Sequence, residues 1–94
     1  MNQIEVESEK TVEKKFEIEI IYNGVEKKFK VENTETVKQV REHAAQVFGA
    51  QQPHLLALYT AAGTELTNEA LTVEQAGIRP HDKLLLRPSA VRGG

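Results

Sequence analysis

The chain has 94 residues, 39% of them hydrophobic, a formal net charge of −2, and neither cysteine nor tryptophan. That length suits one small domain with a single core; without cysteine it brings no disulfide, thiolate metal site or cysteine nucleophile, and a cytoplasmic, reducing setting fits it best. A near-neutral charge with no basic block argues against a nucleic-acid surface, no apolar run is long enough for a membrane span, and residues 1–15 lack the apolar stretch of a secretory signal.

Three zones follow one another. Residues 1–15 are charged and poor in large apolar side chains, and read as a flexible extension. Residues 16–87 hold nearly all the large apolar residues and form the folded body. Residues 88–94 open on a proline, close on two glycines, and read as a flexible tail.

The body begins with a hairpin. Phe16, Ile18, Ile20 and Tyr22 alternate with Glu17 and Glu19, the period of a half-buried strand. Asn23-Gly24 follows, a dipeptide that accepts positive φ at both positions and so favours a two-residue turn. Val25, Phe29 and Val31 alternate with Glu26, Lys28 and Lys30 on the return strand. A two-residue turn sets Tyr22 opposite Val25, and then Glu17 faces Lys30 and Glu19 faces Lys28. Such opposite-charge pairs contribute about 0.2–1 kcal/mol each.

A helix comes next. Thr36 caps it, with Gln39 three residues on to complete a capping box. Val37, Val40, Ala44, Val47 and Phe48 form an apolar stripe at helical spacing, and Gly49 supplies a left-handed residue to end it. Residues 55–59 read as a third strand running to the turn Ala61-Ala62-Gly63. Leu66 marks a short fourth strand, residues 73–77 a helical turn and residues 83–87 a last strand. One main helix on one face of a mixed sheet of four to five strands is an α+β domain.

This order, together with Thr36-Val37-x-x-Val40, residues 76–84 (Ala-Gly-Ile-x-x-x-Asp-x-Leu), Leu84-Leu85-Leu86-Arg87 and the final Val91-Arg92-Gly93-Gly94, resembles ubiquitin and its relatives. The resemblance covers residues 16–94 and implies a β-grasp fold. It also implies a protein modifier, attached by an isopeptide bond. An activating enzyme using ATP and Mg would adenylate the Gly94 carboxylate. The acyl group would pass as a thioester to a conjugating enzyme and end on lysines of target proteins. The nucleophiles would belong to the partners, so the chain itself is expected to be no enzyme and to bind no cofactor. With Gly94 last, no maturation cleavage would be needed.

The tail residues suit that chemistry. Gly93 and Gly94 have no Cβ to obstruct a narrow enzyme channel, and Arg92 offers a fixed charge and a planar donor fork. Pro88 cannot donate to a sheet ladder, which favours detachment of the tail. Ala90, Val91, Arg92 and Gly93 would be read by the activating enzyme. Ala90 stands where ubiquitin has an arginine that matters for choosing its activating enzyme, which points to a dedicated one. The two positions that carry ubiquitin's main chain-forming lysines fall at the Ala61-Ala62-Gly63 turn and at Pro80. Lys10, Lys14 and Lys15 are the alternative acceptors. Distance from ubiquitin suggests a prokaryotic pathway, in which a zinc isopeptidase could reverse attachment.

An ungapped alignment from Gly49 matches Leu58 to the isoleucine at the centre of ubiquitin's recognition patch, Leu85 to the patch histidine and Arg87 to a patch valine. With Leu55, Ala57 and Tyr59 in the core, Leu56, Leu58 and Leu85 would form an exposed partner-binding patch beside Arg87. The opposite register would bury Leu56 and Leu58 instead.

His43, His54 and His81 share no metal-ligand spacing and read as solvated surface. There is no nucleophile elbow or phosphate loop. Two other functions fit a Gly-Gly end or the fold: a sulfur carrier working through a C-terminal thiocarboxylate, which resembles the small subunit of molybdopterin synthase or the thiamine sulfur carrier, and a ubiquitin-like docking module that is never conjugated.

Overall fold

The computed structural model describes residues 14–91. Four strands and one α-helix follow in the order β1 (Lys15–Tyr22), β2 (Val25–Glu32), α1 (Val37–Phe48), a 3₁₀ turn (Pro53–Leu55), β3 (Leu56–Thr60) and β4 (Lys83–Pro88). The sheet is mixed and ordered β2-β1-β4-β3, with β1 and β4 parallel at its centre. This is the expected α+β, β-grasp arrangement. Leu66 forms no strand; near it, Glu65 makes a single antiparallel bridge with Tyr59.

The hairpin has the expected register. Tyr22 faces Val25, Glu17 faces Lys30 and Glu19 faces Lys28. Asn23 and Gly24 both take positive φ, 52° and 79°. The first strand starts one residue before the expected boundary at 16, because Lys15 pairs with Glu32 and the Lys14 N–H donates to Asn33 Oδ1 at 2.7 Å.

The helix ends are built as read. Gln39 N–H donates to the Thr36 hydroxyl, the Thr36 N–H donates to Gln39 Oε1, and Gly49 closes the helix at φ 68°. Val37, Val40 and Ala44 enter the core as expected. Val47, expected in the stripe, is 47% exposed, while Ala45 is buried. Arg41 is also buried, held by Glu69 and by the Pro53 carbonyl. The core sits between α1 and one face of the sheet, around Ile18, Ile20, Val37, Leu58, Val73 and Leu86. Among the described residues, no helix is long and apolar enough to cross a membrane.

Candidate functional site

The sheet face turned away from α1 is fixed by strand pairing. In an antiparallel pair, residues directly opposite each other share a face. Leu58 stands opposite Leu86 and both are core residues, so Tyr59 opposite Leu85 and Ala57 opposite Arg87 lie on the outer face. On β1, Ile18 and Ile20 point inward, which leaves Ile21 outward beside Leu85. Ile21, Leu85 and Tyr59 thus form one row across three strands, each half-buried, with Arg87 exposed at its flank. A shallow groove of about 240 Å³ lies at the Ile21 and Leu85 end of this row, lined in part by Ile21, Leu85, Arg87 and Pro88.

This arrangement corrects half of the expected patch. Leu85 and Arg87 do lie on the outer face. Leu56 and Leu58 do not: they are 5% and 0% exposed and belong to the core. The cause is a one-residue shift in phase, which exchanges the two faces of a strand. Gln52 takes a left-handed conformation and Pro53–Leu55 form a 3₁₀ turn, so Leu55 is spent in the turn and β3 starts at Leu56, side chain inward. The ungapped count from Gly49 is therefore out of phase with β3 by one residue. Tyr59 takes the outer-face place assigned to Leu58, whereas Ala57, in the place assigned to Leu56, is itself 0% exposed.

Beside the apolar row lies a row of charges. Lys28, Glu19 and Lys83 align across β2, β1 and β4. Lys83 Nζ lies 3.9 Å from Glu19 and 3.7 Å from Glu26. A hydrogen bond shared with Glu26, and then partial burial, raise the Glu19 carboxyl above its ordinary value; the same shared bond lowers Glu26.

The start of the tail is bonded to the domain, so departure of the chain comes later than residue 88. Pro88 is the last residue of β4 and faces Leu56, and the N–H of Ser89 donates to the Leu55 carbonyl at 2.8 Å. Ser89 is 4% exposed, and its hydroxyl lies 2.6 Å from Glu65 Oε2. The Ala90 N–H is shared between the Tyr59 hydroxyl at 3.1 Å and Glu65 Oε1 at 3.0 Å. The Tyr59 hydroxyl also lies 2.8 Å from the Pro88 carbonyl oxygen, and the Val91 N–H donates to Ser89 Oγ at 3.1 Å. Nothing in composition or spacing marks Glu65 as the partner of residues 89 and 90.

Ala90 and Val91, assigned to tail recognition, are exposed at the end of this segment. Arg92, Gly93 and Gly94, and also Lys10, lie outside the described residues. The three histidines sit on separate exposed positions: His43 on α1 with its ring edge to Phe29, His54 in the 3₁₀ turn and His81 before β4.

Neither a family model nor a curated protein matches the chain. Solved structures do. The ubiquitin of Caldiarchaeum subterraneum aligns with a TM-score of 0.70 at 25% identity, over 86% of this chain and 100% of that protein. A designed protein based on ubiquitin aligns with a TM-score of 0.70 at 25% identity, over 81% of this chain and 90% of its own. A ubiquitin-like domain of an Arabidopsis thaliana protein, at 18% identity, aligns with a TM-score of 0.69 over 86% of this chain and 85% of that domain. The fold is a ubiquitin-like β-grasp.

Proposed function

We propose that the chain is a ubiquitin-like modifier joined to target proteins through Gly94. The observation that carries this reading is the likeness to an archaeal ubiquitin over that protein's whole length. The sequence adds Arg92-Gly93-Gly94, the residues an acyl-transfer tail needs.

In the first step an activating enzyme, with ATP and Mg, turns the Gly94 carboxylate into an acyl adenylate and releases pyrophosphate. A cysteine thiolate of that enzyme then displaces AMP to form a thioester. Exchange with a cysteine of a conjugating enzyme moves the acyl group on. A lysine amine of the target attacks the thioester carbonyl, the thiol leaves, and an isopeptide bond remains. A zinc isopeptidase would reverse attachment by hydrolysis. The chain supplies the acyl group, the Arg92 charge by which the tail is gripped, and the outer-face residues Leu85 and Arg87 as the surface partners read.

The test is tryptic mass spectrometry of an N-terminally tagged pull-down from the source cells, with a chain lacking Gly94 as control. Trypsin cuts after Arg92, so conjugation leaves Gly-Gly on target lysines, and the control must lack that mark. A terminal thiocarboxylate on the intact chain, with no lysine remnants, would replace this reading with sulfur carriage. Absence of both would leave a docking module.

A further inference from the structure

The bonds at residues 88–91 form a closed latch, and its two receiving side chains are themselves anchored. Tyr59 sits within β3, paired with Leu85. Glu65 bridges to Tyr59, and the next residue, Leu66, donates its N–H to the Leu58 carbonyl at 2.8 Å. Bonds to an ionised carboxylate are stronger than neutral ones, and Glu65 receives two from the departing chain, one from the buried Ser89 hydroxyl and one from the Ala90 N–H.

We propose that Tyr59 and Glu65 are positioning residues for the Gly94 carboxylate. They hold residues 88–91 against the domain, so Gly94 can lie at most about 10 Å beyond Val91. An enzyme acting on that carboxylate must therefore seat itself on the domain at the Tyr59 end of the sheet. The role of the enzyme rests on the conjugation reading; the latch does not.

Two measurements on the full chain test this, each on wild type, Tyr59→Phe, Glu65→Ala and Ser89→Ala. The first is ¹⁵N relaxation and hydrogen exchange at Ala90 and Val91. Wild-type Ala90 is expected to relax like the strands, and each variant to loosen it while the hairpin stays unchanged. The second is the yield of thiol-sensitive adduct in source-cell extract with ATP and Mg, as a function of added chain. The half-saturating concentration is expected to rise about threefold to tenfold in each variant, the scale of one lost hydrogen bond, with the plateau unchanged.

Ser89→Ala is the discriminating variant, because a side chain this buried cannot touch a partner and can act only through the tail. A half-saturation that moves in Tyr59→Phe alone would mean direct docking on Tyr59 and would overturn the proposal. So would wild-type Ala90 relaxing as freely as a chain end, or loosened variants with unchanged half-saturation. No adduct with wild type would overturn the conjugation reading and the positioning role together, while the relaxation data would judge the latch separately.

Discussion

Arg41 and Glu69 close a two-pronged ion pair on the flank of α1, with Nε 2.6 Å from Oε2 and an N–H of the second nitrogen 3.0 Å from Oε1. The third nitrogen donates to the Pro53 carbonyl at 2.8 Å. One helical side chain thereby fastens two loops, and the arginine side chain is only 7% exposed.

Removing one partner of such a pair leaves a buried charge uncompensated. Glu69→Ala is expected to cost about 3 kcal/mol, read as a lower urea midpoint. Replacing both residues by methionine is expected to recover most of that loss. A Glu69→Ala chain with an unchanged midpoint would show that the pair contributes nothing.

The phase of β3 has a direct test. Leu58→Ala empties a core position and is expected to cost about 3 kcal/mol. Leu85→Ala, on the outer face, is expected to cost less than about 1 kcal/mol and to weaken partner capture instead. Urea melts of the two variants should differ in that order; the reverse order would restore the opposite register.

The helix ends can be probed singly. A Cβ at Gly49 would meet nothing within 4 Å, so Gly49→Ala carries only the strain of φ 68°. The left-handed conformation costs about 1–2 kcal/mol for an alanine. Thr36→Ala removes the cap and is expected to cost about 1 kcal/mol. Both are measured as shifts of the denaturation midpoint, with the fold checked by circular dichroism.

Glu19 and Glu26 should titrate apart. Glu19 is raised mainly because its protonated form bonds to Glu26, so its contribution to stability is full below the ordinary carboxylate value and fades as pH rises through the raised one. Glu26 is lowered by the same bond, so its contribution holds above the ordinary value and fades as pH falls through the lowered one. Carboxyl-carbon NMR titration should place Glu19 above Glu26, and Glu26→Gln should bring Glu19 down. Coincident midpoints would contradict the shared bond.

How legible each part was followed from how local its causes are. The hairpin register was readable because a two-residue turn dictates every pair that follows it. The cap at Thr36 and the stop at Gly49 were readable for the same reason, each depending on a few neighbours. Leu56 and Leu58 were misplaced because the phase of β3 depends on a 3₁₀ turn and on pairing with Leu84 and Leu86. Two signals did point the right way: the bulkier alternation of β3 is Leu56 and Leu58, and Tyr59, with a hydroxyl to satisfy, suits a half-buried site. Arg41 and Glu65 gave no sign, since a charge acquires a buried partner only when distant loops arrive.

The parallel pairing of β1 with β4 has a mechanical consequence. Parallel neighbours begin at the same end of a sheet, so the start of β1 and the finish of β4 lie at opposite ends of the central pair. Tension applied through those two points would slide the strands lengthwise and load their cross-links together, instead of peeling them one after another. A machine hauling on the last residues of β4 while the start of β1 is held would meet the domain along its stiffest direction.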